Sequence, residues 1–284
     1  MRYYIEYIFA RILEFILLCL PRRISFFISM IFVQILKIFL CSRRNLVLKN
    51  LNKVFSEKSY KEKTKIANTV WENMAKNVVE FIRIKKLNRK NYEKFIEFEN
   101  ETFLKEAIGK NKGVLLLTAH IGNWELMGAG LSLRGYKIMV IARKLKNKLV
   151  DREINRIREF SGEKVVQEHS AVKESLRWLN KGGCIGILID QHITEGGVVV
   201  DFLGRPAATS SIIALLAKKT GAIVLPLYNI RLTSGRIKVI FEKSYEINPS
   251  ADVYEETKKM NEIIGSWVKK YPEQWFWLHN RWKV

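Results

Sequence analysis

The sequence predicts an α/β fold in which a mixed central sheet is flanked by helices and preceded by a hydrophobic helical segment. Strand-like and helix-like patterns alternate from residue 95 onward, which is typical of a sheet covered by helices. Residues 1–41 are instead dominated by Ile, Leu and Phe. We therefore predict an N-terminal membrane anchor over 1–44, a helical segment packed on the core over 45–94, and an α/β domain over 95–284.

Two apolar stretches separated by Pro21 make up the predicted anchor. The first, Tyr3 to Leu20, contains charged residues and favours an interfacial helix over a clean span. The second, Ile24 to Cys41, barely reaches the length that crosses a bilayer, and Gln34 and Lys37 lie within it. We expect an uncleaved anchor, either monotopic or a single span, with the basic part on the cytoplasmic side. The alternative is an ordinary buried helical hairpin.

An amphipathic helix is predicted between Ser56 and Arg83, and its charged face is expected to be solvated. Its apolar residues recur at every fourth position, at Ile66, Val70, Met74, Val78 and Ile82. Lys85 to Lys94 is a polar connector, after which Phe95 opens the α/β domain. The strand-like segments there are Val114–Thr118, Lys137–Ala142, Cys184–Asp190, Val198–Phe202, Ile223–Ile230 and Ile237–Glu242. The helical patterns are Leu126–Leu133, Asn147–Phe160, Ala171–Asn180, Ile212–Thr220 and Val253–Lys270.

The candidate chemistry starts at His120, just after the apolar strand Val114–Thr118. Glu125 follows five positions later, which on one continuous helix points about 140° away. A turn at Gly122, which tolerates a positive φ, followed by Asn123 as helix N-cap, allows the two side chains to meet. We predict that Glu125 fixes the imidazole tautomer, so that His120 is a general base for a substrate hydroxyl. The alternative is a histidine held at a strand end for packing alone.

Four sequence blocks occur in the order found in one known family. They are TAHIGNWE with His120 and Glu125, ILIDQH with Asp190 and Gln191, FLGRPAAT from Phe202 to Thr209, and PEQWFWLHNRWK from Pro272 to Lys283. Over most of its length the chain resembles the lipid A biosynthesis lauroyl/myristoyl acyltransferases of the lysophospholipid acyltransferase-like superfamily. The FPEGTR-type block of glycerolipid acyltransferases is missing, which favours the lipid A branch. Leu203 and the pair Ser211-Ile212 depart from the family pattern, which concerns acyl-chain preference rather than the reaction.

The resemblance implies an O-acyltransferase of the bacterial inner membrane that acts in lipopolysaccharide biosynthesis. Its donor would be an acyl-carrier-protein thioester, with acyl-CoA as the other possibility, and its acceptor the hydroxyl of a 3-hydroxyacyl chain on a lipid A precursor. Arg158 matches the family's supporting arginine and would stabilise the oxyanion, with Arg156 as the competing residue. His120 would then protonate the leaving thiolate. The mechanism requires no acyl-enzyme, no cofactor and no metal.

Several further residues are candidates for binding the substrate. His120 and Asp190 both follow predicted strands, and ligands gather beyond the carboxyl ends of such strands. Asp190 and Gln191 are expected to brace the site or to bind the head group, although a buried aspartate that caps the next turn is the alternative. Arg143 follows another strand end and either faces lipid phosphates or is hydrated. The segment from Gly196 through Gly204 to Pro206 is expected to line the acyl or head-group site, and Asn123 is a further candidate for substrate binding.

The C-terminal aromatic residues have two possible locations, the membrane interface or the core. Packing of some of these rings in the core is the preferred interpretation, with Arg281 and Lys283 outside. The rings belong to Trp267, Trp275, Phe276, Trp277 and Trp282.

The charge of the chain indicates an anionic partner. Lys and Arg number 49 against 28 acidic residues, which gives a net charge of +21 and a pI near 9.9. Nucleic acid, an anionic membrane, a phosphorylated lipid and an acidic carrier protein all satisfy that requirement. The apolar N-terminus and the absence of a nucleic-acid motif favour the membrane, the lipid and the carrier. Acylation of another anionic glycolipid or lysophospholipid, and a non-enzymatic basic membrane-surface or nucleic-acid binding protein, are the alternatives.

Overall fold

The structure is a computed structural model that describes residues 1–283, and position 284 of the predicted α/β domain lies outside this range. The helices are α1 (Arg2–Cys19), α2 (Arg22–Phe39), α3 (Cys41–Val54), α4 (Tyr60–Arg83), α5 (Thr102–Gly109), α6 (Trp124–Arg134), α7 (Lys148–Phe160), α8 (Ala171–Leu179), α9 (Ile212–Thr220) and α10 (Val253–Lys270). The strands are β1 (Ile96–Glu99), β2 (Val114–Thr118), β3 (Ile138–Ala142), β4 (Lys164–Gln167), β5 (Cys184–Leu188), β6 (Gly197–Asp201), β7 (Pro206–Ser210), β8 (Ile223–Arg231) and β9 (Ile237–Phe241).

Seven of the described strands form one mixed sheet in the order β1-β9-β8-β2-β5-β3-β4. β8 and β9 are antiparallel, whereas the other neighbouring strands are parallel. The predicted mixed sheet flanked by helices is confirmed. β6 and β7 form a separate antiparallel hairpin, so the strand predicted at Val198–Phe202 exists but lies outside the central sheet.

The central strand β2 is buried on both faces. Its residues alternate between two core clusters, with Leu115 and Leu117 in one cluster and Leu116 in the other, because successive side chains of a strand point to opposite faces. The first cluster includes side chains of α9 and α10, and the second includes side chains of α5 and α6. This double burial explains the unbroken apolar run that the sequence shows at β2.

Helix α4 begins at a capping box. Ser59 accepts a hydrogen bond from the backbone N–H of Glu62, and the Glu62 carboxylate accepts one from the backbone N–H of Ser59. This exchange satisfies two helix-end donors that would otherwise lack partners. The predicted amphipathic helix is therefore confirmed, with its first turn starting four residues after Ser56.

The buried face of α4 differs from the predicted one. Val78, assigned to the apolar stripe, is 44% exposed. Asn77 and Glu80 are buried instead, so the expectation that all charged residues of this helix are solvated is wrong at Glu80. Arg231 of β8 explains the burial, because its guanidinium donates to both Glu80 oxygens at 2.7 Å.

The N-terminal helices α1 and α2 are separated at Pro21, as predicted, and both pack on α4. Leu17 packs against Val79, and Val33 packs against Trp71. Large apolar side chains on the other faces of the two helices are exposed, among them Ile5, Phe9, Ile12, Phe15, Ile24, Phe27, Ile31, Ile35 and Phe39. No single helix among residues 1–283 combines the length and hydropathy of a membrane span, whereas α2 and α3 together, bent by 91°, meet that test as a broken pair.

The C-terminal aromatic block packs in the core. Trp267, Trp275, Trp277 and Trp282 are all buried, which confirms the interpretation that some of these rings belong to the core. Arg281 was expected outside but is fully buried. It donates to the carbonyl oxygens of residues 191 and 208 and to the side-chain hydroxyl of residue 209, so protein acceptors replace the water that an exposed guanidinium would bind.

Candidate active site

The turn between β2 and α6 has the predicted conformation. Gly122 has φ +62°, and a Cβ there would lie 2.3 Å from two oxygens of Asn229, so no larger residue fits. Asn123 caps α6 by accepting from the backbone N–H of Leu126 at 3.1 Å. Asn77 donates to the Gly122 carbonyl at 2.6 Å. The turn that carries His120 is thus held from β8 and from α4.

His120 forms its side-chain hydrogen bond with Asp190. His120 Nδ1 lies 2.8 Å from Asp190 Oδ1, and the His120 backbone N–H donates to Asp190 Oδ2 at 2.9 Å. β2 and β5 are parallel neighbours with Thr118 opposite Leu188. His120 and Asp190 each lie two residues beyond those positions, so they face each other across two adjacent strand ends. The two strand ends therefore meet, but Asp190 is buried and neither side chain belongs to the wall of the cavity described below, so a shared cleft stays a prediction.

Asp190 is the buried anion of this pair. Trp275 Nε1 donates to its Oδ2 at 2.7 Å. Burial alone would raise the pKa of Asp190, but the charge of His120 and the hydrogen bonds from His120 and Trp275 hold that pKa below its usual value. An ionised carboxylate can only accept, so His120 Nδ1 carries the hydrogen and Nε2 presents its lone pair. The His120 side chain is 19% exposed, so the imidazole is not sealed from solvent.

The predicted contact between Glu125 and His120 is wrong. Both oxygens of Glu125 bind Arg158, with Nε donating at 2.9 Å and Nη2 at 2.6 Å. Glu125 lies in the first turn of α6, whereas the imidazole is drawn toward β5 by Asp190. No hydrogen bond joins Glu125 to His120 within the described part of the chain. The carboxylate that fixes the tautomer therefore comes from the neighbouring strand and not from the following helix.

Arg158 is held in place by Glu125. Burial alone would lower the pKa of Arg158, but the bidentate bond and charge of Glu125 raise it above its usual value. A guanidinium has five N–H donors, and three of them are used on Glu125 and on Asn155 Oδ1. Two donors stay available in a fixed orientation. Arg156, the competing candidate, pairs with Glu153 at 2.9 Å and is exposed.

A second buried carboxyl lies beside this pair. Glu163 is fully buried, and burial together with the charge of Glu125 raises the pKa of Glu163 to about 8. A Cβ at position 128 would approach Glu163 Oε1 to 2.2 Å, so Gly128 of α6 provides the space that Glu163 occupies. At neutral pH this group is mainly a neutral acid.

An apolar cavity of about 350 Å³ opens next to the site, between α1, α4, α7 and the start of α6. Asn123, Trp124, Glu125 and Arg158 belong to its wall, and the ring of Trp124 lies 4.8 Å from that of His120. Most of the remaining wall is hydrocarbon, with Leu13, Val78, Phe81, Ile154 and Ile157 among its residues. The first helix of the predicted anchor thus forms one side of the cavity.

The other predicted binding residues lie outside the wall of this cavity. Gln191 follows Asp190 and accepts a bond from Arg281 through its carbonyl. Arg143 is exposed and lies 4.0 Å from Glu168. Gly204 and Pro206 are exposed residues of the β6–β7 hairpin, and the Gly204 N–H donates to Asp201. Their roles in binding stay predictions.

Two residues that the sequence reasoning did not assign to the site support it. Asn229 bridges the turn by donating to the Ile121 carbonyl at 3.1 Å and accepting from the Asn123 N–H at 2.6 Å. A polar residue inside the apolar strand pattern of β8 was a usable signal, since a buried amide needs partners. Trp275 lies in the PEQW block, and an indole N–H in a buried block likewise requires an acceptor.

The described residues do not form a metal site. In the part of the chain that the structure describes, His, Cys, Asp and Glu side chains do not come together in groups of three or more suited to a metal ion.

Comparison with characterised proteins gives the same family at low identity. The lipid A biosynthesis acyltransferase of Haemophilus influenzae is 28% identical over 194 residues, which are 67% of this chain and 60% of that protein. The phosphatidylinositol mannoside acyltransferase of Mycolicibacterium smegmatis is 25% identical over 181 residues, 62% of this chain and 59% of that protein. The match therefore spans about three fifths of the length of these two relatives.

Two further similarities extend over more of the chain. The lipid A biosynthesis lauroyltransferase of Escherichia coli is 24% identical over 251 residues, 87% of this chain and 81% of that protein. The solved structure of the 1-acyl-sn-glycerophosphate acyltransferase from Thermotoga maritima has 15% identity and a TM-score of 0.40, and the match covers 90% of this chain and 100% of that one. The family model described as bacterial lipid A biosynthesis acyltransferase matches residues 1–284, and the chain therefore belongs to the bacterial lipid A biosynthesis acyltransferase family.

Proposed function

We propose that the protein is an O-acyltransferase that moves a fatty acyl chain from a thioester to a hydroxyl of a lipid A precursor. The observation that carries the proposal is the 2.8 Å contact between His120 Nδ1 and the buried carboxylate of Asp190. It leaves Nε2 as a base, and Trp124, whose ring packs against the imidazole, belongs to the wall of the apolar cavity. Family membership supplies the type of reaction.

His120 performs the proton transfers in this proposal. Nε2 removes the proton of the acceptor hydroxyl as its oxygen attacks the thioester carbonyl, and Asp190 stabilises the imidazolium that forms. When the tetrahedral intermediate collapses, the same nitrogen returns the proton to the leaving thiolate. The acyl group passes directly from sulfur to oxygen, so no acyl-enzyme is needed.

Arg158 is the proposed stabiliser of the oxyanion. Two of its N–H donors are not used by Glu125 or Asn155, and a fixed cation in an apolar setting stabilises developing negative charge strongly. Glu125 acts as a positioning residue that sets the angle of the guanidinium. The hydrocarbon wall of the cavity, formed by α1, α4 and α7, is suited to the acyl chain.

The partners follow from the same proposal. An acyl-carrier protein is the proposed donor, because its acidic surface would complement a chain of charge +21. The exposed apolar residues of α1 and α2 support association with the bacterial inner membrane, with the α/β domain on the cytoplasmic side.

Acylation of a phosphatidylinositol mannoside is the second candidate function. The similarity to the Mycolicibacterium smegmatis enzyme favours it, since its identity of 25% is close to the 28% of the Haemophilus influenzae relative. Both acceptors are anionic glycolipids, and the His120–Asp190 pair would serve either.

In the test, purified protein is incubated with each combination of donor and acceptor, and the products are identified by mass spectrometry. Donors are acyl-carrier-protein and CoA thioesters, and acceptors are a lipid A precursor with and without its Kdo sugars, a phosphatidylinositol mannoside and a lysophospholipid. We expect product with the lipid A precursor and its loss in His120→Ala. Product with none of the acceptors would leave a basic binding protein as the better description, and equal product in His120→Ala would show that His120 is not the base.

A further inference from the structure

A second cavity, of about 220 Å³, lies between the start of α2 and the end of α4. Its basic residues are Arg22, Arg83 and Lys86, and its one acidic residue is Glu80. α4 separates it from the cavity beside His120. Residues 77, 78 and 81 of α4 face the first cavity, whereas residues 80 and 83 face the second, and at about 100° per residue these sets lie on opposite sides of the helix.

The carboxylate of Glu80 already accepts hydrogen bonds from other side chains. Its oxygens accept from Arg22 at 2.7 Å, from Arg231 twice at 2.7 Å and from Asn123 at 2.8 Å. A carboxylate offers about four acceptor positions, so all of them are in use. Its single negative charge is shared by two arginines. Arg83 and Lys86 have no carboxylate within ion-pair distance among residues 1–283.

Arg83 and Lys86 are anchored, but only by backbone carbonyls. Arg83 Nη1 donates to Leu17 and Leu20 at 2.8 Å each, and Lys86 Nζ donates to Leu18. These bonds use the free carbonyls at the end of α1. The hydrogens on Nε and Nη2 of Arg83 have no acceptor among the described residues. Burial, and after it the nearby positive charge of Arg22, lower the pKa of Arg83.

The rest of the wall strengthens the attraction for an anion. Leu87, Phe95 and Leu126 supply apolar surface, and Arg22 lies over the ring of Phe95 at 4.9 Å. Arg22 and Arg83 are partly buried, whereas Lys86 is exposed, and partly buried charges interact more strongly than charges in water. Two guanidinium groups and an ammonium around a small cavity match the oxygens of a phosphoryl group.

We propose that the pocket of Arg22, Arg83 and Lys86 binds the phosphoryl headgroup of an anionic lipid. The lipid source, rather than free phosphate, is favoured by position, because Arg22 is the first residue of α2 and Arg83 and Lys86 bind carbonyls at the end of α1, and both helices carry exposed apolar side chains. Acyl chains would lie along those faces while the phosphate occupies the pocket. The proposal concerns binding alone and holds for any acceptor of the acyl group.

The test measures binding by calorimetry with the full chain in a non-ionic detergent and without thioester. The probes are a short-chain phosphatidic acid, the matching diacylglycerol without phosphate, and inorganic phosphate. We expect saturable binding of phosphatidic acid, none of diacylglycerol, and weak competition by inorganic phosphate. If inorganic phosphate binds but phosphatidic acid does not, the lipid source is overturned. If neither binds, the proposal is overturned, and Arg83 and Lys86 only cap α1.

Two neighbouring lysines provide a matched pair of variants. Lys86→Gln removes a pocket cation that touches only a backbone carbonyl, whereas Lys85→Gln removes the same charge from a residue that pairs with Glu14 at 2.6 Å outside the pocket. Loss of one charge-assisted bond predicts roughly tenfold weaker binding of phosphatidic acid in Lys86→Gln and no change in Lys85→Gln. Equal weakening in both variants would show general charge attraction and overturn the site.

Discussion

Asp190 determines which nitrogen of His120 carries the hydrogen and which one presents a lone pair. Its carboxylate is buried and charged, and it accepts from His120 Nδ1, from the His120 backbone and from Trp275. These three donors bind the one side chain of Asp190, which lies outside the turn of His120 that it stabilises. The imidazole therefore has one tautomer and one orientation before any substrate arrives, which removes a cost from the reaction.

Replacing Asp190 by Asn tests this arrangement. The amide can donate to Nδ1 and so favours the tautomer with hydrogen on Nε2, which cannot accept the hydroxyl proton. By the size of the tautomer effect in other histidine bases, we expect roughly a 10³- to 10⁴-fold loss of kcat. Trp275→Phe, which removes one bond to Asp190 but keeps an aromatic ring, is expected to cost only about tenfold. Normal turnover in a folded Asp190→Asn protein, checked by circular dichroism, would remove Asp190 from the mechanism.

Glu125 acts through Arg158 in our interpretation. Glu125→Ala frees the guanidinium, so kcat is expected to fall by roughly 10²-fold while the fold is kept. Arg158→Lys should cost a similar factor, because a lysine cannot form the bidentate bond. Arg156→Gln is the matched control on the same helix, since Arg156 is exposed and pairs with Glu153. Steady-state rates of the three variants are compared, and a loss in Arg156→Gln as large as that in Arg158→Lys would contradict a specific role for Arg158.

Glu163 predicts a dependence of stability on pH. Its pKa in the folded chain is about 8 against an ordinary value of 4.5, so between these values the folded state holds a proton that the unfolded state has lost. Raising the pH through this window therefore lowers the free energy of unfolding, by up to about 1.4 kcal/mol per pH unit. Glu163→Gln removes this slope. Its melting temperature should match the wild type near pH 4.5 and exceed it increasingly toward pH 8.

The control for this experiment is Glu159→Gln, an exposed carboxylate on the same segment, which should follow the wild-type curve. Activity adds a second readout. Ionised Glu163 would compete with Glu125 for Arg158, so the wild type should lose rate above pH 8 while Glu163→Gln keeps it. If the melting temperatures of Glu163→Gln and of the wild type change with pH in the same way, the carboxyl of Glu163 has an ordinary pKa in the folded chain.

At the scale of elements, local pattern predicted the turn but not the partner of His120. The β2 run, the positive φ of Gly122 and the cap at Asn123 are all determined within ten residues. Asp190 reaches His120 only because β5 lies beside β2, and strand order is a non-local property. Without the strand order, the sequence indicates the nearest acid, Glu125, as the partner of His120, and this prediction is wrong.

The same limit explains the elements that the sequence did not reveal. β1 and β4 have four residues each, too few to show a period, and β7 begins with a proline, which argues against a strand. The burial of Glu80 depends on Arg231, 151 positions away. Longer elements with a clear period, such as β8 and α10, were found within one residue of their ends.

The cavity between α1, α4 and α7 gives a prediction for these helices. Ile154 belongs to its wall, so Ile154→Phe should reduce the space for an acyl chain and shift donor preference toward shorter chains. Competition between thioesters of different chain length, followed by mass spectrometry of the products, measures the shift. Val172→Phe adds the same kind of ring at an exposed position of α8 and should change nothing. An unaltered chain preference in Ile154→Phe would show that the acyl chain lies elsewhere.

For the whole molecule, the apolar surface and the charge act together. The net charge of +21 attracts anionic surfaces over long distances, but salt screens that attraction. The exposed apolar residues of α1 and α2 provide a contact that salt does not weaken. Because α1 also lines the cavity beside His120, a surface that binds α1 would place its lipids next to the site.

This combination predicts how the protein binds vesicles. The full chain should co-sediment with anionic vesicles at low salt and retain much of that binding at high salt, because the apolar contact persists. Phe27 and Phe39 are 67% and 78% exposed, and the double variant Phe27→Asp/Phe39→Asp should lose the salt-resistant fraction. Tyr60→Asp, at a position of α4 that is 73% exposed, is the control and should bind like the wild type. Salt-resistant binding that survives the double variant would mean that α2 does not contact the bilayer.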